Sequence, residues 1–167
     1  MPILGVVNFI TDIWDTLAIS SVMVAATVTI HFVGLATLML MIRQRQPLAD
    51  PDTRHISLRV LAILFVVFGL FAVHTIEIWL YAMVYYFGLH AFQDFETALY
   101  FSTVTFVSLG YGDVILPRDW RLVGAIEAAN GVILLGWSTA FFITVIGRLR
   151  ALEHEWLDPR QDKTGGL

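Results

Sequence analysis

Three apolar stretches, each long enough to cross a bilayer, limit what this chain can fold into. Ile19 to Ile42 contains His31 as its one titratable residue. Val60 to Phe87 contains His74 and Glu77, and Leu122 to Ile146 contains Glu127 and Asn130. At about 1.5 Å of rise per residue, a helix over any of them exceeds the roughly 30 Å apolar core of a membrane. Composition agrees, since 57% of the 167 residues are hydrophobic and 14% charged, far from the soluble average. Cysteine is absent, so neither a disulfide nor a thiolate metal site arises. The N-terminus lacks the basic start and small-residue cleavage site of a signal peptide. No repeat period is visible, and the polar tail after Pro159 is the one low-complexity segment.

Basic residues set the orientation. Arg43, Arg45, Arg54 and Arg59 follow the first stretch, and Arg148 and Arg150 follow the third. Both clusters belong on the cytoplasmic side, which leaves the N-terminus and the connection between the second and third stretches outside. Asp12 and Asp15, with no basic neighbour, agree. Pro47, Asp50 and Pro51 make the cytoplasmic loop a turn-rich connector. About twenty residues follow the third span, leaving no room for a ligand-sensing domain. Arg148 to Trp156 can continue as a short amphipathic helix with Leu149, Leu152 and Trp156 on one face.

Between the second and third stretches, Phe92 to Ser108 is too short and too polar at its ends to span. It reads as a re-entrant helix followed by an extended strand, and such backbone is tolerable at membrane depth only when buried in protein or lining a water-filled path. The strand belongs to the run Thr105-Phe106-Val107-Ser108-Leu109-Gly110-Tyr111-Gly112-Asp113. A glycine turn closing a membrane hairpin is the plainer explanation of a bare Gly-x-Gly. An amphipathic helix before it and spans on both sides favour a pore loop instead.

That run resembles the potassium-channel signature Thr-Val-Gly-Tyr-Gly-Asp, with Ser108 and Leu109 in place of Thr and Val. More narrowly, residues from His74 to Arg150 resemble the small bacterial channels of the two-transmembrane ion-channel family. The strings Phe95 to Ser102 and Gly136-Trp137-Ser138-Thr139-Ala140 share in the likeness. The first span lies outside it. The resemblance implies an all-α membrane protein with three transmembrane helices, a re-entrant pore helix and a selectivity-filter strand, assembled as a homotetramer among membrane lipids in a bacterial inner membrane. The expected divisions are an outer segment over 1–16, an extra transmembrane helix over 17–43, a cytoplasmic loop over 44–57, a pore module over 58–148 and a cytoplasmic tail over 149–167.

In such channels, backbone carbonyls replace the water shell of a dehydrated K+ ion. The resemblance makes Ser108, Leu109, Gly110, Tyr111 and Gly112 that filter, with K+ as the permeant ligand, no cofactor and no nucleic acid. Alternation of ordinary and left-handed backbone turns successive carbonyls to one side, and glycine reaches the left-handed region at little cost. Asp113 caps the outer mouth. Thr105 takes the position whose hydroxyl often bonds the filter tyrosine. Val104 replaces a glutamate that pairs with the mouth aspartate in some relatives, so Asp113 depends on Tyr100, water or another residue. Gly131 and Gly136 lie where relatives place a hinge glycine. Helix packing accounts better for Gly124 and Gly131, while Gly136 remains open between packing and a gating hinge.

Glu77 and Glu127 are costly in a bilayer and are functional candidates by default. His74 and Glu77, three apart, share a helix face and form a structural pair near the outer leaflet; two ligands fall short of a metal site. Glu127 is expected to accept hydrogen bonds from the pore region as filter support, with Asn130 in the same network. His31, His55, His90 and His154 read as isolated polar groups. Trp79, Tyr81, Tyr85, Tyr86 and Trp120 read as an interfacial aromatic belt or as packing against the pore helix. No span carries the spaced arginines of a voltage sensor. No nucleophile, phosphate-loop or metalloprotease motif points to catalysis. The alternatives to a potassium channel are a weakly selective monovalent cation channel, a non-conducting accessory subunit, and a proton-coupled small transporter using His74, Glu77 and Glu127. The last lacks an inverted repeat and leaves Gly110-Tyr111-Gly112 without a role.

Overall fold

A computed structural model describes residues 2–44 and 55–157, with side chains over 13–43 and 60–147. Helix α1 runs Pro2–Gln44, α2 His55–Met83, α3 Phe95–Phe106 and α4 Arg121–Leu157. A π-helical turn, Val84–Gly88, ends α2, and a 3-10 turn, Arg118–Trp120, leads into α4. Three segments are long and apolar enough to cross a membrane: Ile13–Arg43, Val60–Gly88 and Arg118–Gly147.

Helix α1 starts well before the expected boundary at residue 17. Pro2 is tolerated in a first helical turn, and no proline follows until Pro47. The proline-bearing connector lies outside the described residues, as do the side chains of Arg148, Arg150 and Trp156. The α4 backbone does continue as helix to Leu157.

Helix α3 is the short re-entrant element. Asp94 caps it in extended backbone, its carboxylate accepting from the Thr97 backbone N–H at 2.8 Å and from the Thr97 hydroxyl at 2.8 Å. Those two bonds hold the Asp94 carboxyl below the ordinary carboxylate range. The segment after α3 is extended but pairs with no strand; among the described residues there is no β-ladder. A lone extended segment in one chain has no partner for such a ladder.

Helix α1 packs on α2 and α4, and α3 wedges between α2 and α4. Tyr81, Tyr85, Phe106, Leu134 and Val123 are fully buried at the centre. Burial of Tyr81 and Tyr85 decides against an interfacial belt for these two. Tyr85 stands edge-on to Phe101 of α3 at 5.4 Å between ring centroids, while Trp79 and Tyr86 pack edge-on against Phe95 at 5.7 and 5.9 Å. Tyr85 and Tyr86 of the π-helical turn and Trp79 of α2 thus pack against the pore helix, while Trp79 keeps 47% of its exposure.

Candidate functional site

The chain leaves α3 through a tight link. The backbone N–H of Ser108 donates to the Thr105 carbonyl at 2.8 Å, and those of Leu109 and Gly110 donate to the Val104 carbonyl at 2.8 and 3.1 Å. These bonds tie the start of the loop to the last turn of the helix. Beyond them the backbone alternates. Ser108, Gly110 and Gly112 have φ of 56°, 51° and 76°, whereas Leu109 and Tyr111 stay at negative φ. Left-handed backbone is cheap for the two glycines and uncommon for a serine. Among the described residues, the carbonyls of Ser108 to Gly112 accept no backbone hydrogen bond. All five residues are exposed in the single chain, Tyr111 to 67%.

Sequence reasoning anticipated the two glycines at alternate positions but not the third left-handed residue. Serine carries no compositional signal for positive φ. Its hydroxyl lies 3.4 Å from the Ala128 carbonyl of α4, a weak tether at the start of the loop.

At the far end of the loop, the Tyr100 hydroxyl donates to the Asp113 carboxylate at 2.7 Å. With valine at position 104, this phenol is the side-chain partner that Asp113 finds within the chain. The bond favours the charged carboxylate and the neutral phenol, so it holds Asp113 below the ordinary carboxylate range and pushes Tyr100 up. The sign follows directly. The tether is fully present above the ordinary aspartate pKa and is lost as pH falls through the lowered value. Replacing Tyr100 with phenylalanine is therefore expected to change open-channel lifetime or ion preference near neutral pH, with assembly intact. The difference from wild type should shrink in acid. Single-channel recordings of Tyr100→Phe across pH check this, and wild-type currents throughout would count against a role for the bond.

The Thr105 hydroxyl makes no hydrogen bond to Tyr111 within the chain. Thr105 instead lines a small cavity of about 410 Å³ with Phe101, Leu116 and Gly124. Glu127 is fully buried behind α3. Its carboxylate meets the Ser102 hydroxyl of α3 at 2.6 Å and the Tyr85 hydroxyl of the π-helical turn at 2.6 Å. It therefore links α4 to the pore helix and to the end of the second span. Asn130 does not share this network. Its side-chain amide donates to the Thr27 hydroxyl of α1 at 2.8 Å and lies 3.5 Å from the Tyr81 hydroxyl. One turn along α4 rotates Asn130 onto the face that meets α1.

Gly131 sits where α4 crosses the end of α3. A Cβ there would overlap the Phe106 carbonyl oxygen, so close approach of two backbones requires glycine. A Cβ at Gly124 would be tight but not overlapping, 3.0 Å from the Leu116 side chain and 3.2 Å from the Phe101 ring. Gly136 differs, since a Cβ would meet nothing within 4 Å. Packing within the chain gives no reason for glycine there.

The histidine expectations need correction. His31 is not isolated: fully buried, it meets Glu77 Oε1 through Nδ1 at 2.9 Å. His74 Nδ1 meets Glu77 Oε2, also at 2.9 Å, and His74 Nε2 meets the Ser138 hydroxyl at 2.9 Å. The cluster lies near the middle of the Val60–Gly88 span and not at its outer end. Residues 31 and 77 are linked by no motif, so only the packing of α1 on α2 reveals them as partners. His90 is exposed; His55 and His154 fall outside the described side chains.

Residues 73–148 match the model of a family described as ion channel. A search of curated proteins and a search of solved structures each found no match. The matched region runs from the middle of α2 through α3 and the loop to the end of the third span, so it takes in every residue of the loop described above. Three membrane-capable helices and this family together make the chain an integral membrane protein, and the family is one of channels and not of enzymes. Over residues 73–148, the chain is similar to the ion channel family.

Proposed function

We propose that four copies of this chain form a potassium-selective channel whose filter is Ser108, Leu109, Gly110, Tyr111 and Gly112. The observation that carries this reading is the alternation of φ at Ser108, Gly110 and Gly112. In an ordinary strand, successive carbonyls point to opposite sides. With every second residue left-handed they swing toward one side, which stacks oxygen ligands along a line. The C-terminal end of α3 adds its partial negative charge beside that line, which suits a cation.

One such strand cannot enclose an ion, and a symmetric ring of strands can. The exposed loop supports the same conclusion. Non-helical backbone between membrane spans needs cover from protein or a water-filled path, and neighbouring copies supply both. K+ is then the only ligand the filter holds. In this reading the basic residues after the first and third spans face the cytoplasm, the filter opens outward, and the membrane is a bacterial inner membrane. Asp113 and Tyr100 brace the outer mouth, Thr105 and Glu127 support the filter from behind, and Gly136 serves as the gating hinge.

Stoichiometry tests the assembly. Native mass measurement in mild detergent is expected to give a homotetramer with fourfold symmetry. A well-behaved dimer, with no larger species at working concentration, would contradict the proposal.

A further inference from the structure

Outside the pore loop, His31, His74 and Glu77 form a dense cluster of ligating side chains among the described residues. One ligand atom from each lies within 4.8 Å of the other two. We propose that this cluster is an intramembrane binding site for a divalent transition cation of the zinc class, which clamps the first span to the pore module.

The donor set fits such an ion. Two imidazole nitrogens and a carboxylate form a recognised zinc ligand set, with a fourth position for water or a hydroxyl. With bonds of about 2.0–2.1 Å, tetrahedral zinc holds its ligand atoms roughly 3.3 Å apart. The two nitrogen–oxygen separations here are each 2.9 Å. They run to different oxygens of Glu77, and the three ligand atoms lie within 4.8 Å of one another, so seating the ion asks the ligands to adjust by at most about 1.5 Å. Both Nδ1 atoms converge on the one carboxylate, so a cation replaces the hydrogens that now hold them together.

The surroundings suit the bound form as well. An imidazole that ligates through Nδ1 carries its hydrogen on Nε2 and needs an acceptor there, which fixes the ring. Ser138 Oγ lies 2.9 Å from His74 Nε2 and 3.5 Å from His31 Nε2. One hydroxyl on α4 thus orients both rings. His31 and Glu77 are fully buried, whereas the His74 side chain keeps 13% of its exposure. His74 and Ser138 line a largely apolar cavity of about 570 Å³ with Thr103 and Phe106 of α3, so the cluster is reached from this side at His74.

The site also gives the first span a task. Its ligands come from α1 and α2, and its orienting hydroxyl is two residues beyond Gly136 on α4. The Phe106 ring at the end of the pore helix stands 5.8 Å from the His74 ring. A cation held there ties α1 to the helices that frame the pore. This inference does not depend on potassium selectivity and stands or falls separately.

The test uses the full-length protein in mild detergent, stripped with chelator, equilibrated with zinc chloride alone and desalted. Wild type is expected to retain about one zinc ion per chain, and X-ray absorption should show an all-nitrogen-and-oxygen shell near 2.0 Å with imidazole scattering. His31→Gln and His74→Gln should each weaken retention at least about tenfold, a loss of the size seen even for groups that only orient ligands. His90→Gln, at an exposed position, should bind as wild type. If His31→Gln fails to assemble, His74→Gln and the wild-type absorption spectrum decide. Wild type without retained zinc, zinc without imidazole scattering, or undiminished retention in His74→Gln would overturn the proposal.

Discussion

Gly112→Ala is expected to abolish potassium-selective current while the protein still assembles. At φ of +76°, Gly112 occupies backbone that residues with a Cβ avoid. A Cβ at this position would meet nothing within 4 Å inside the chain, so the penalty is conformational and not a clash. Left-handed backbone costs an L-residue about 1–2 kcal/mol, which the proposed tetramer would incur in each of its four subunits. An alanine can escape that cost by returning to negative φ, which turns a carbonyl away from the line. The filter then loses a ring of ligands, but the helices, whose contacts lie elsewhere, lose nothing. Gel filtration and recordings in K+ and Na+ solutions together check this. A fully assembled mutant with unchanged potassium preference would remove the alternating backbone from the mechanism.

Gly131→Ala should act in the opposite manner, through assembly. A Cβ at residue 131 would overlap the Phe106 carbonyl oxygen, and backbone cannot step aside as a flexible side chain can. Either α4 moves out or the last turn of α3 moves away, and the Val104 and Thr105 carbonyls in that turn hold the start of the loop. Overpacking typically costs 1–3 kcal/mol, or about that per subunit here. The expected result is a lower thermal midpoint, reduced tetramer yield and loss of current. Gly136→Ala, at a position with free space, should assemble normally. Equal stability of the two alanine variants would contradict the packing assigned to Gly131.

The features legible in the sequence are those set by local physics. The three spans follow from apolar length, and the pore helix follows from a segment too short to cross. Gly110 and Gly112 follow from a backbone need that a side chain frustrates. Tyr100 came into view as one candidate partner of Asp113 only through the family resemblance, which places a glutamate at position 104 where this chain has valine. What remained hidden depends on how helices rotate against one another. Nothing in the string around His31 distinguishes a buried ligand from a lone polar group until α1 is packed on α2. Asn130 and Glu127 lie three apart yet serve different neighbours, because α4 shows one to α1 and the other to α3. Tyr81 and Tyr85 look like belt residues by type and position, and only packing sends them inward. Ser108 was expected as a ligand but not as a left-handed residue, since its conformation is imposed by the bonds from Ser108, Leu109 and Gly110 back into α3.

The central claim is that the loop from Ser108 to Gly112 conducts potassium selectively. Reversal potential, measured on purified protein in planar bilayers with potassium on one side and sodium on the other, tests it most directly. The account predicts a reversal potential close to the potassium equilibrium potential, moving with the potassium gradient and indifferent to the sodium gradient. A value near zero would mark a weakly selective cation pore, one that follows the proton gradient a coupled transporter, and no current at all an accessory subunit; each would contradict the account.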